Sequence, residues 1–432
     1  MSETMEQAQF QYSFRLQSQT YPSIPEPVGP PWTLSHSSLL SSTQHTRHES
    51  TQARESTREP ITTITTITGG SVFTDSVAPR FALLPPSTPF SRSLLGASTM
   101  FSLGSLFQSL PLKLTAEQCE GRTFIVTGAN SGLGLACSQR LVQLGAARVV
   151  MAVRNLDSGK AAKESIDATV ANHKSAILVW HVDYASHDSV RDFAKKVEIE
   201  LDRVDGLVAN AGVSMHHWQE VEGLESNLTV NVVSNMLLLV LLLPFMEKCA
   251  KRLKITPTVS VVGSMSGFYA HEPLFKADMQ DVFNDLNDQK KWESTMVSRY
   301  SVSKLILHFA ARELAFRKPV DHSRVIINVV NPGLCKTNLL RDASAMLRFN
   351  LSIVKLIAGR SSEEGSRTLL HGLAAGEASH GKYLSECEIK EDSVPDWIRS
   401  GEGPTWQTAI WEQLAQRLEE IQPGCVTQAL SV

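Results

Sequence analysis

From about residue 115 onward the chain alternates short, uninterrupted apolar runs with longer stretches whose apolar residues recur every three or four positions. The first pattern belongs to strands buried on both faces, the second to helices with one apolar stripe. Runs at 123–126, 148–153, 176–182, 206–209, 258–262 and 325–330, with a short seventh around 382–385, predict strands. Helices are predicted over 133–144, closed by Gly145, and over 158–170, 189–201, 224–249, 298–317 and 406–421. The stretch 271–294, rich in Asp and Asn, carries neither period and reads as an irregular insertion. Strand and helix alternate, and the strands are of the buried type. The fold class is therefore α/β: a doubly wound parallel sheet of about seven strands in a single domain, with helices on both faces.

Upstream of this pattern, residues 1–99 are dominated by Ser, Thr, Pro and Gln, with stretches such as Thr62-Thr63-Ile64-Thr65-Thr66-Ile67-Thr68. Such a segment cannot bury enough apolar area to offset chain entropy, so a disordered N-terminal extension is expected. Glu3, Glu6, Glu26, Glu49, Glu55 and Glu59 argue against a mitochondrial transit peptide, and Met100 stands as an alternative start. Residues 100–114 read as a short amphipathic lead-in, with Leu103, Leu106, Phe107 and Leu110 at helical spacing. Packing on the domain's own edge competes there with a membrane contact. The domain itself is expected over 115–425, followed by a tail at 426–432.

Charge and cysteine content act mainly by exclusion. With 41 Lys+Arg against 44 Asp+Glu and a formal net charge of -3, nothing draws the chain to nucleic acid. The 6 cysteines form no Cys-x-x-Cys pair and no His cluster accompanies them, so no metal site is expected and a reducing, cytoplasmic location is the economical reading. The longest apolar run, 236–243, is about half of what a membrane span needs. No transmembrane segment is expected, and peripheral membrane contact is left open.

In a doubly wound sheet, ligands gather at the carboxyl ends of the strands. The first strand ends in Thr127-Gly128-Ala129-Asn130-Ser131-Gly132-Leu133-Gly134, a glycine turn feeding a helix N-terminus, where unpaired N–H groups and the helix dipole favour an anion. Strand two ends in Val153-Arg154, which offers a guanidinium fork to a 2′-phosphate where an acid would repel it; this favours NADP(H) over NAD(H). Asp183 ends strand three and can accept from an adenine amino group, and Asn210-Ala211-Gly212 ends strand four with residues small enough to pass close to a ribose. Tyr300 and Lys304 share a helix face, so the cation can lower the phenol's pKa and make Tyr300 a general acid and base. Ser264 offers a hydroxyl at the same sheet edge to hold a carbonyl. Each of these alone is also ordinary turn, cap or surface chemistry.

Taken in order, Thr-Gly-x3-Gly-x-Gly at 127–134, Asn210-Ala211-Gly212, Ser264, Tyr300-x3-Lys304 and Asn331-Pro332-Gly333 resemble the short-chain dehydrogenase/reductase family, over about residues 115–425. Within it the chain is similar to the retinol dehydrogenase and WW-domain oxidoreductase-like branch, its fungal members above all. The motifs behind that are Arg154-Asn155, Ser298-Arg299-Tyr300-Ser301-Val302-Ser303-Lys304, and Ser361-Ser362-Glu363-Glu364-Gly365 followed by Ser366-Arg367-Thr368.

The resemblance implies a Rossmann-type fold and a carbonyl–alcohol oxidoreductase acting on a lipophilic small molecule of polyketide, terpenoid, steroid or retinoid type. It also implies roles. Tyr300 would exchange the proton at the substrate oxygen, Ser264 would orient that oxygen, Lys304 would hold the nicotinamide ribose, and Asn231 would hold a relay water. The cofactor would lie along Gly128, Asn130, Ser131, Gly132, Leu133, Gly134, Arg154, Asp183, Asn210, Ala211, Gly212, Pro332 and Gly333, with Thr337 at the carboxamide. Relatives often form homo-oligomers through their long helices, which is left open here. The alternative is a non-catalytic cofactor-binding protein. Three departures stand out: Ala209 before Asn210, Gly263 before Ser264, and the 36 residues that separate Ser264 from Tyr300. The last places the 271–294 insertion beside the site, where it would shape substrate choice, and the apolar 338–358 stretch suits a lid.

Overall fold

The structure is a computed structural model and describes residues 109–271, 274, 276–336 and 359–431. The expectations for residues 1–108, for Thr337 and for the 338–358 stretch lie outside the described residues.

Strands β1 (Thr123–Thr127), β2 (Arg148–Val153), β3 (Ala176–His181), β4 (Gly206–Ala209), β5 (Thr258–Val262), β6 (Ile326–Asn331), β7 (Tyr383–Ser385) and β8 (Glu388–Ile389) form one sheet in the order β8-β7-β6-β5-β4-β1-β2-β3. Every pairing is parallel except β7 with β8. The eighth strand, beyond the seven expected, is a two-residue hairpin partner at the edge, too short to leave a period in the sequence. Ile125 of β1 pairs with Val150 on one side and Leu207 on the other, so β1 is the centre from which the chain winds outward in both directions. That reversal opens a crevice at the carboxyl ends of β1 and β4.

Helices cover both faces. One core holds Cys137 and Leu141 of α1 (Gly132–Gln143), Ala162 and Ile166 of α2 (Leu156–Thr169) and Leu369 and Leu370 of a helix at Ser362–Ala374. The other holds α3 (His187–Glu200), α4 (Ser234–Leu253) and α5 (Met296–Arg317). In chain order the Ser362–Ala374 helix is α6, followed by α7 (Gly403–Ile421) and α8 (Cys425–Leu430). α7 packs on α5 and α8 on α4. Residues 426–432, expected as a tail, are thus largely α8, with Val426 and Ala429 buried. At the other end, Leu110 and Leu114 are buried and the Leu110 amide donates to Glu364 Oε1 at 3.1 Å, so the body begins before residue 115.

Two expected elements break differently. The helix predicted over 224–249 begins as a two-residue hairpin (Glu220–Val221 with Leu224–Glu225), one turn at Ser226–Leu228 and a π-helical turn at Thr229–Val233 before α4 proper. The wide turn loosens the backbone ladder, and Asn235 Nδ2 donates to the carbonyls of Val230 (3.3 Å) and Asn231 (3.1 Å). The insertion is not irregular throughout. It forms short helices at Val282–Leu286 and Gln289–Trp292 whose Val282, Phe283, Leu286 and Trp292 are buried.

Among the described residues, the run Ser226–Leu253 is long and apolar enough to cross a membrane by length and composition, but 83% of its most apolar window is buried inside the body. It is the central helix of the core.

Candidate active site

The glycine turn is held by its neighbour turn. Thr127 Oγ1 accepts from the amides of Asn210 and Ala211, both at 2.9 Å, and Asn210 Nδ2 donates back to the Thr127 carbonyl at 2.8 Å. Gly128 sits at φ +66, and a Cβ on Gly134 would lie 2.4 Å from the Gly128 carbonyl oxygen. Glycine is required at both places, once for conformation and once for space. The N-cap of α1, Ser131, makes no side-chain bond to its helix, whereas Asn155, Ser186 and Ser361 cap α2, α3 and α6. Among the described residues, no side chain caps the first-turn N–H groups of α1, which face the crevice.

Around this turn lies a cleft of about 830 Å³. Gly128, Asn130, Ser131, Gly132, Leu133, Arg154, Asp183, Asn210, Ala211, Gly212, Ser264, Tyr300, Lys304, Pro332 and Gly333 all line it, so residues spread over two hundred positions meet in one space. Arg154 is exposed at the rim. Asn130 Nδ2 donates to Ser158 Oγ at 3.1 Å, tying the glycine turn to the start of α2 beside it. Asp183 accepts from the Ala185 amide at 3.0 Å. Gly134 and Asn231 lie behind the lining.

At the other end, β5 delivers Ser264 and α5 delivers Tyr300 and Lys304. The Ser264 hydroxyl lies on the Tyr300 side of the cleft, close enough to pull the phenol's pKa down, and its Oγ is 2.9 Å from Ser266 Oγ. Lys304 Nζ donates to the Val262 carbonyl at 2.7 Å and lies 5.9 Å from the centre of the Tyr300 ring. The expected depression of the Tyr300 pKa by Lys304 is not what this geometry produces. Burial pushes the phenol up to about 12, against a smaller downward pull from Ser264, and pushes the Lys304 ammonium down to about 8. Desolvation outweighs mutual attraction because the ammonium is turned onto a carbonyl rather than onto the phenol.

Asn231 is wholly buried. Its Oδ1 accepts from the Val213 amide at 2.8 Å, and its Nδ2 donates to the Val213 carbonyl and to Ser303 Oγ, both at 2.9 Å. In the Asn331-Pro332-Gly333 turn, Asn331 Oδ1 accepts from the amides of Met265 (3.2 Å) and Gly333 (3.3 Å). One side chain thus joins the serine turn to the turn after β6.

A family model described as short chain dehydrogenase matches residues 122–271. The short chain dehydrogenase/reductase dmxR8 of Cryptosporiopsis sp. is 37% identical over 324 residues, 75% of this chain and 98% of its own. The chain belongs to the short-chain dehydrogenase/reductase family. Two further relatives are the short-chain dehydrogenase anuD of Penicillium roqueforti, 32% identical over 82% of this chain and 90% of its own, and the short chain dehydrogenase atnD of Emericella nidulans, 38% identical over 65% and 88%. Membership makes the protein an oxidoreductase whose fold takes a nicotinamide cofactor.

The cradle fits such a cofactor: uncapped helix N–H groups over a glycine turn suit a pyrophosphate, and the close-packed turn after β4 leaves room for a ribose. Ser266, Ser303 and the bridging role of Asn331 are not legible in the sequence alone. Only the composition of the motifs around them hinted at these, since a hydroxyl or carboxamide inside a turn has no period of its own.

Proposed function

We propose that the protein is an NADP(H)-dependent carbonyl reductase, with alcohol oxidation as its reverse, acting on an apolar small molecule of polyketide, terpenoid, steroid or retinoid type. The observation that carries this is the convergence of Ser264, Tyr300 and Lys304 in the same cleft as the glycine turn. Val213 and Val297 give that end of the cleft apolar surface beside Ser214, His216 and Ser266, and Val297 stands one helical turn before Tyr300.

When bound, the cofactor supplies or accepts the hydride at the substrate carbon. The chain's own residues do the rest. Ser264 donates to the carbonyl oxygen and orients it toward Tyr300. The Tyr300 phenol, protonated at neutral pH like any tyrosine and kept so by burial, gives its proton to the oxygen as negative charge develops there. Lys304 would hold the nicotinamide ribose, and the cofactor preference rests on Arg154 at the rim and on the absence of an acid at the end of β2. Placement near the retinol dehydrogenase-like branch rests on the motifs alone. A cytoplasmic location accords with six buried thiols. A homo-oligomer through the long helices would have to form beside α8, which packs on α4, and α7, which packs on α5.

The test is NADPH consumption with a panel of aromatic and aliphatic ketones. Tyr300→Phe should lower kcat by about a hundredfold or more while leaving NADPH binding in place. An equal rate in that variant would refute the assignment.

A further inference from the structure

The substrate-side wall of the cleft is the extended segment after β4 that carries Val213, Ser214 and His216, and it joins neither of the sheets. Two asparagine side chains stand in for a neighbouring strand. Asn231 exchanges two hydrogen bonds with the backbone of Val213 (2.8 and 2.9 Å), and Asn227 exchanges two with the backbone of Met215 (3.0 and 3.3 Å). Residues two apart on an extended chain present both backbone groups to one edge, so the carboxamides reproduce two rungs of an antiparallel ladder.

Each rung is anchored on α5, on either side of Tyr300. The first runs from Asn231 Nδ2 to Ser303 Oγ at 2.9 Å. In the second, Glu225 Oε1 accepts from the Asn227 amide (2.8 Å) and Nδ2 (2.7 Å), while Glu225 Oε2 lies 3.3 Å from Arg299 Nε. Arg299 and Ser303 are four residues apart, on one helix face. The guanidinium also donates to the Leu286 carbonyl at 2.7 Å and stacks 5.9 Å from the centre of the Trp218 ring. The insertion is itself held by α7, since the Val282 amide donates to Gln413 Oε1 at 2.7 Å and Gln413 Nε2 donates to the Met279 carbonyl at 2.8 Å. Wall, insertion and catalytic helix therefore meet at a single side chain.

Glu225 and Arg299 are 0% and 1% exposed. Taking both charges out of water costs about as much as the pair returns, and an apolar pair would serve stability equally well. Register is what such a pair adds. We propose that Glu225 and Arg299 are positioning residues: they set the wall at 213–216 against Tyr300, control how the carbonyl substrate binds, and pass the placement of the 271–294 insertion to that wall. Only the kinetic part of this rests on the carbonyl reductase reading.

The experiment uses the full chain with Asn227→Ala, and separately the double change Glu225→Leu with Arg299→Met, which strands no buried charge. Hydrogen exchange of the 213–218 peptide is followed in the presence of NADPH, and KM and kcat are measured with 9,10-phenanthrenequinone. Exchange at 213–218 should rise about tenfold in both variants, and KM about tenfold, with kcat and NADPH affinity moving less than about threefold. Unchanged exchange at 213–218 in a folded variant overturns the proposal. So does a rise that extends equally into β1 and α1 with loss of NADPH affinity, the mark of general loosening. If the double variant does not fold, Asn227→Ala decides. If the wild type leaves the quinone unreduced, the carbonyl reading fails for that probe while the exchange result still decides the ladder.

Discussion

Thr127 and Asn210 hold each other across the carboxyl ends of β1 and β4: the threonine hydroxyl accepts from the Asn210 and Ala211 amides at 2.9 Å, and the asparagine carboxamide donates to the Thr127 carbonyl at 2.8 Å. Thr127 is wholly buried, so Thr127→Val keeps the shape and removes the acceptor. Asn210 N retains the Val208 carbonyl at 3.0 Å, which leaves the Ala211 amide as the stranded donor. The expected cost is about 1–3 kcal/mol of stability, read by urea unfolding, together with weaker NADPH binding as the two turns separate. Stability equal to wild type would mean that the hydroxyl is not what joins the turns.

Two glycines separate space from conformation. A Cβ on Gly134 would meet the Gly128 carbonyl oxygen at 2.4 Å and Asn210 Nδ2 at 2.8 Å, so Gly134→Ala must push the glycine turn away from the turn after β4. NADPH affinity should fall by about tenfold or more, since the helix N–H groups no longer converge. Gly145 faces open space but sits at φ +81, so Gly145→Ala should cost about 1–2 kcal/mol of stability and leave NADPH affinity unchanged. Calorimetric titration of both variants checks the contrast; equal losses of affinity would contradict it.

Arg154 lines the rim of the cleft beside the glycine turn and Ser158. If it reads a 2′-phosphate, Arg154→Asp replaces attraction with like-charge repulsion for NADP(H) while NAD(H) has no phosphate to repel. Affinity for NADPH should drop by about a hundredfold against a change within about threefold for NADH, and the difference should shrink as salt is raised. Parallel losses for both cofactors would remove Arg154 from that role.

The strands were legible because a buried parallel strand writes itself as a continuous apolar run. Arg148–Val153, Gly206–Ala209 and Thr258–Val262 run over the predicted residues, and their ends place Arg154, Asn210 and Ser264. The helix carrying Tyr300 was legible too, though it starts two residues earlier than predicted. What escaped was built from polar residues pairing over long distances. Glu225 and Arg299 lie 74 positions apart, and Asn227 and Asn231 resemble any helical polar residues until the wall they hold is in place. The insertion's apolar residues are too few to form a period, yet Val282, Phe283 and Leu286 are buried. Nor does the Tyr300–Lys304 spacing reveal that the ammonium is committed to the Val262 carbonyl.

Burial of both groups fixes the sign of the pH dependence. Burial raises the Tyr300 phenol to about 12 and lowers the Lys304 ammonium to about 8. Carbonyl reduction requires a protonated phenol, which Tyr300 supplies well past neutrality, so the group that changes charge first on raising pH is Lys304. Its cation is present below about pH 8 and lost above it, and with it the attraction for an anionic cofactor. The value of kcat/KM for NADPH should therefore be level from about pH 6 to 7 and fall above about pH 8 along a single ionisation. Lys304→Arg carries a charge that does not titrate in this range, so the fall near pH 8 should vanish even if the absolute rate drops because the larger guanidinium fits the buried site poorly. Persistence of the same limb in Lys304→Arg would assign it to another group and would detach Lys304 from cofactor binding.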